Sequence, residues 1–148
     1  LNNVINENII LVNKFDSSVK IRLVNHLSKE VVLNFDNEQF NRLFFNLIKN
    51  SVESIQEKVE KDSKTVKNID IEIRQRRDYI NINIIDTGTG FKNKTTKDII
   101  KPYFTTKEKG TGLGLSIVDK IISDHEGSIK FLNHKNGAKI QIIIPYNK

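Results

Sequence analysis

The sequence predicts an α/β domain in which an antiparallel sheet is covered on one side by helices. Three observations predict it. Ile69, Ile71 and Ile73, and then Ile80, Ile82 and Ile84, alternate strictly with polar residues, so each segment needs one buried and one exposed face. Phe40, Leu43, Phe44, Leu47, Ile48, Val52 and Ile55 recur at three- and four-residue spacing, as do Leu113, Ile117, Val118, Ile121 and Ile122, which marks two amphipathic helices. A chain of 148 residues also buries enough apolar surface to fold as one domain, residues 1–148, without disulfides or a structural metal.

The elements follow in order. Val4, Ile5, Ile9 and Leu11 are spaced loosely as on a helix, so residues 1–14 read as a short helix or an extended lead-in. Val19, Ile21 and Leu23, then Val31, Leu33 and Phe35, alternate as two short neighbouring strands. The long helix enters at Asp36 or Asn37 as N-cap, and residues 56–68, polar and charged, read as its fraying end and a loop. The two isoleucine strands form a hairpin turned near Arg77 and Asp78. Residues 86–114 hold five of the seven glycines and one of the two prolines, and so long an irregular stretch in a compact domain is usually functional. The second helix follows, then a closing hairpin of residues 129–132 and 140–144 turned at Asn136 and Gly137.

Composition excludes several classes. With no Cys there is neither a disulfide scaffold nor Cys-ligated zinc, and no apolar run approaches the roughly 20 residues of a membrane span or the pattern of a signal peptide. The chain reads as a soluble piece of a longer protein, since it starts at Leu1 and contains no Met. A net charge of +6 invites a nucleic-acid reading. The basic residues are nevertheless spread out, with Arg74, Arg76 and Arg77 the one tight cluster and no interleaved aromatics to stack on bases, so a solvated basic face is the better account.

Four local patterns carry chemistry. Asn46 and Asn50 lie one turn apart on one helix face, and carboxamide oxygens are neutral hard ligands suited to Mg²⁺, although two such Asn can equally sit on a solvent face. Asp86-Thr-Gly-Thr-Gly90 follows a strand; such an Asp can accept a hydrogen bond from an exocyclic amine, or belong to an ordinary Asp-Gly turn. Lys101-Pro-Tyr-Phe-Thr-Thr-Lys107 offers aromatics to anchor a loop and hydroxyls and lysines to face phosphates, or a plain turn with a half-buried aromatic pair. Gly110-Thr-Gly-Leu-Gly-Leu115 runs straight into a helix, where free N–H groups and the positive end of the dipole meet phosphate. The absence of Gly-Lys-Ser/Thr and of a βαβ unit disfavours both the Walker and the dinucleotide loops.

Taken in this order, Asn46–Asn50, Asp86–Gly90, Phe104–Lys107 and Gly110–Leu115 resemble the N, G1, F and G2 boxes of the catalytic ATP-binding domain of sensor histidine kinases, in the GHKL superfamily. The wording around the boxes is most similar to the nitrogen-regulation type. The resemblance implies the Bergerat ATP-binding fold, an α/β sandwich with a mixed, mostly antiparallel sheet and helices packed on one face. It implies ATP and Mg²⁺ as ligands, with Asn50 on the metal and Asn46 facing the phosphates or helping to hold the ion. Asp86 would bind the adenine amine, with Gly88 and Gly90 shaping the pocket. A lid would run from about Lys92 to Thr111, in which Phe104 is the box aromatic, Lys107 a phosphate contact and Tyr103 a stacking partner near the base. Gly110, Thr111, Gly112 and Gly114 would admit the triphosphate, and Leu113 and Leu115 would anchor the helix. The pattern departs at Ala138, followed by Lys139, where several related ATPases place a Thr near the adenine; a water could serve instead.

Position 46 separates the relatives. In the gyrase, Hsp90 and mismatch-repair ATPases the residue four before the metal-binding Asn is a Glu that activates water; here it is Asn46. A carboxamide accepts no proton at neutral pH, which favours a histidine kinase over a hydrolase. The acceptor is missing from this chain: His26, His125 and His134 are its histidines, none in a context resembling the phosphoacceptor box, and each reads as a surface or capping residue. The resemblance therefore implies a transferase that hands the γ-phosphate to a His on an upstream dimerisation domain, and thence to an Asp of a response regulator. The parent would be a kinase of the bacterial inner membrane with this domain in the cytoplasm. The alternatives are a degenerate nucleotide-sensing module and a GHKL ATPase.

Overall fold

The computed structural model describes residues 1–28, 31–102 and 113–146. In chain order the elements are α1 (Asn2–Asn13), β1 (Lys20–His26), α2 (Asn37–Lys61), β2 (Asn68–Gln75), β3 (Tyr79–Asp86), α3 (Thr96–Ile99), α4 (Gly114–Asp124), β4 (Ser128–His134) and β5 (Gly137–Pro145). The five strands form one sheet in the order β1-β2-β3-β5-β4. β1 and β2 run parallel and the other neighbours antiparallel, so the sheet is mixed and mostly antiparallel.

The alternating isoleucines turn one face of this sheet inward. Ile69, Ile71, Ile73, Ile80, Ile82, Ile84, Ile140 and Ile142 are buried there with the apolar stripe of α2 and with Val118 and Ile122 of α4. α2 begins where its cap residue dictates: the Asp36 carboxylate accepts the Gln39 N–H at 2.9 Å. The helix does not fray at residue 56 but continues to Lys61, with Glu57 paired to Lys61 at 3.6 Å and Lys58 and Lys61 favourably placed in its last turn. α1 is a helix whose buried Asn8 donates to the Val4 carbonyl at 2.8 Å and to Asn41 Oδ1 of α2 at 3.0 Å.

Three further expectations need correction. Residues 31–35 form no strand. The partner of β1 is β2, register Lys20↔Asn68 to His26↔Arg74, while Val31, Leu33 and Phe35 lie half-buried against the core and Val32 is exposed. Alternation reports one-sided burial, which a stretch laid along the core satisfies without a ladder; Phe35 is held by the Phe40 ring at 4.7 Å. The closing turn consists of Lys135 and Asn136 rather than Asn136 and Gly137, because His134 pairs with Gly137, and Lys135 takes the positive φ of 48°. Gly137 is a glycine for another reason: a Cβ there would lie 1.9 Å from the Asp86 carbonyl oxygen on β3. Within the irregular 86–114 stretch stands the single-turn α3, whose capping box, Thr95 with Asp98, is too short to leave a periodic trace.

Candidate functional site

The site is built on the end of β3. Asp86 is 4% exposed, and its Oδ1 accepts the Gly88 N–H at 2.9 Å. Burial pushes its carboxyl above the ordinary carboxylate range; the Gly88 N–H, the Ser51 hydroxyl, the Ala138 N–H and the charge of Lys58 act in the opposite direction. A buried carboxylate with accepting capacity beside an opening is suited to a neutral donor such as an amine of a flat ring.

Gly88 and Gly90 are required by contact. A Cβ at Gly88 would fall 2.3 Å from Ser54 Oγ, and Gly90 has φ 72° with a would-be Cβ 2.8 Å from Asn133 Oδ1. Ser54 accepts the Thr89 N–H at 2.9 Å and lies 3.1 Å from the Thr89 hydroxyl, so α2 holds the turn after Asp86 directly. Thr87 ties the same turn to Val66 and Asn68.

Beside Asp86 lies a small open pocket of about 40 Å³. Asn50, Ser51 and Ser54 of α2 line it with polar groups, and Phe91, Phe131, Leu115, Ile140, Ala138 and Gly90 line it as well. Ala138 is buried and stands opposite Asp86 in the sheet, so a small residue there leaves the room that a larger side chain would fill. Phe91 and Phe131 meet edge to face at 5.5 Å.

α2 and α4 bring the remaining described candidates together. Asn46 donates from Nδ2 to the Arg42 carbonyl at 2.8 Å, and its Oδ1 lies 3.1 Å from the place of a Cβ on Gly114. The missing side chain of Gly114 thus lets the first turn of α4 rest on Asn46. α4 begins after Leu113, whose own side chain makes no cap hydrogen bond. Leu113 and Leu115 are half-buried, Leu115 against the core. Tyr103, Phe104, Lys107, Gly110, Thr111 and Gly112 lie outside the described residues.

Among the described residues no three His, Cys, Asp or Glu side chains are grouped to hold a metal. The oxygen chemistry fits Mg²⁺ in another way: Asn50 lines the pocket one turn from Asn46, and carboxamide oxygens are neutral hard donors that phosphate oxygens and water would complement. The histidines lie elsewhere. His125 Nε2 accepts the Asp36 N–H at 3.2 Å, so Nδ1 carries the proton donated to the Ile121 carbonyl at 2.7 Å, and His26 stands 3.7 Å from Glu72. Sequence reasoning missed Ser51, Ser54, Phe91 and Asn133. For Ser51 a signal existed, since it interrupts the apolar stripe of Leu47, Ile48, Val52 and Ile55.

Residues 35–148 match the family described as "Histidine kinase-, DNA gyrase B-, and HSP90-like ATPase". Sporulation kinase A of Bacillus subtilis is 38% identical over 116 residues, which are 78% of this chain and 18% of that protein. Nitrogen regulation protein NtrY of Azorhizobium caulinodans is 37% identical over 103 residues, 70% of this chain and 13% of that protein. The chain thus spans less than a fifth of the length of these relatives. The solved catalytic domain of histidine kinase ThkA superposes with a TM-score of 0.81 at 26% identity, over 99% of this chain and 92% of that one. The chain belongs to the histidine kinase-, DNA gyrase B- and HSP90-like ATPase family, and within it stands with the catalytic domains of sensor histidine kinases.

Proposed function

We propose that this chain binds ATP with Mg²⁺ in the Asp86 pocket and presents the γ-phosphate to a histidine on a separate dimerisation domain, from which it passes to an aspartate of a response regulator. The observation that carries the reading is the buried Asp86 carboxylate facing a pocket lined by apolar residues for the base and by Asn50 for the phosphates. Asp86 accepts the adenine amine, while Ala138, Phe91 and Phe131 enclose the ring. Gly114 and the first turn of α4 receive the phosphate end, with the partial positive charge of the helix terminus toward the anion. Asn50, with Asn46 beside it, holds Mg²⁺, which when bound neutralises charge on the phosphates.

Asn46 sets the outcome. Its amide nitrogen is spent on the Arg42 carbonyl and its oxygen takes no proton at neutral pH, so this residue cannot activate water. The γ-phosphate is kept for another nucleophile, and the work of the domain is orientation. Tyr103, Phe104, Lys107, Gly110, Thr111 and Gly112 belong to the lid in this reading. With no acceptor among His26, His125 and His134, phosphotransfer needs the histidine-bearing partner. In the parent kinase the domain would face the cytoplasm.

The test is transfer in trans. The chain is mixed with labelled ATP, Mg²⁺ and a histidine-bearing dimerisation domain. Acid-labile label on that domain, absent without Mg²⁺ and much reduced with Asn50→Ala, is the expected result. Nucleotide binding without any transfer would instead identify a nucleotide-sensing module, and rapid phosphate release by the chain alone would identify an ATPase.

A further inference from the structure

We infer that Asn133 is a positioning residue of the nucleotide pocket, holding Phe91 as the wall against which the base packs. The inference rests on the proposed nucleotide site and deepens it. β4 is the last strand of the sheet, and the chain just after Asp86 returns along its outer edge. There Asn133 Oδ1 accepts the Phe91 N–H at 2.8 Å while its Nδ2 donates to the Lys92 carbonyl, also at 2.8 Å. One side-chain amide thus makes both bonds that a peptide group would make in a ladder. The two partners also fix which way the amide faces, since an N–H needs the oxygen and a carbonyl needs the nitrogen. Further along, Thr96 Oγ1 accepts the Phe131 N–H at 3.0 Å and keeps the returning segment on the strand.

The consequence is a fixed distance across the pocket. Asn133 pairs with Ala138, and Ala138 with Asp86, so the residue that binds Phe91 stands in the same row of the sheet as the buried carboxylate. Phe91 and Phe131, both lining the pocket, are thereby set relative to Asp86 across two steps of the sheet register. Gly90 permits the approach, and Lys92 adopts a φ of 51°, which the bond from Nδ2 to its carbonyl restrains. Asn133 itself is exposed, so removing its amide spares the core.

The test uses the full 148-residue chain with Asn133→Ala and Asn133→Asp, the second keeping an acceptor for Phe91 but no donor for Lys92. Three readouts are taken: the thermal midpoint, amide exchange at Phe91, and calorimetric affinity for adenosine, ADP and a nonhydrolysable ATP analogue. Asn133→Ala should leave the midpoint near that of the parent, speed exchange at Phe91 by about tenfold, and weaken all three ligands alike by about fivefold, the size of one neutral hydrogen bond. Asn133→Asp should recover the protection of Phe91 and part of the affinity. Unchanged affinity in Asn133→Ala overturns the inference, and so does a loss confined to the phosphorylated ligands, since the wall faces the base. Should the parent bind none of the three ligands, the proposed function fails; an unchanged Phe91 exchange rate would then sink the positioning role separately.

Discussion

Asp36 and Asp86 perform the same local act, one at the start of α2 and the other at the end of β3. Each accepts a backbone N–H from a residue two or three further on at 2.9 Å, Gln39 for the first and Gly88 for the second. Asp36 is exposed and caps α2, with His125 closing over its own N–H and packing edge-on to Phe40 at 4.8 Å. Asp86 is buried under α2, where desolvation raises its pKa against the opposing pull of the surrounding donors. The difference teaches that the same turn chemistry serves an exposed helix cap and a buried position beside a pocket, and that burial is what separates the two.

The comparison can be broken most forcefully at Gly137. Replacing it with Ala drives a methyl into the Asp86 carbonyl, and the β3–β5 pairing must shift; chemical denaturation should show a loss of about 3 kcal/mol or more. Next in size is Asp86→Asn, which should cut affinity for an ATP analogue by about 10- to 150-fold, the size of a charge-assisted hydrogen bond, while the fold stays intact or gains stability. Asp36→Ala reverses that pattern: denaturation should report a loss of about 1 kcal/mol through the helix cap, with nucleotide affinity untouched.

The smallest effect concerns pH. Burial raises the folded pKa of Asp86, so over the window between its ordinary and its raised value the folded chain holds a proton that the unfolded chain has released. Stability carried by this group therefore falls as pH rises through that window. Asp86→Asn does not titrate, so its stability relative to the parent should improve as pH rises from below the ordinary carboxylate range through that window, measured as denaturation midpoints at both ends.

Much of this was legible in the sequence where a pattern repeats. The isoleucine hairpin, α2 with its Asp36 cap and α4 follow from periodicity, and the order of the Asn, Asp-Gly and Gly-rich segments pointed to the pocket. The segment 31–35 misled because Val31, Leu33 and Phe35 do face the core but make no ladder. Ser54 and Asn133 were invisible for a different reason: each acts through one or two hydrogen bonds to a distant backbone, and a lone polar residue on a helix or an edge strand looks like solvent surface. Gly137 was noticed as a turn glycine, whereas its use lies in the neighbouring strand, a contact of 51 residues' separation that local pattern does not encode.

The central claim is that the buried Asp86 carboxylate recognises an adenine nucleotide. It is tested most directly by calorimetric titration of the parent chain and of Asp86→Asn with a nonhydrolysable ATP analogue and Mg²⁺, alongside thermal midpoints for both. Saturable binding by the parent, lost or strongly weakened in an Asp86→Asn chain that melts no lower, is the result this account predicts. Equal affinity in the two chains, or no binding by the folded parent, would contradict it.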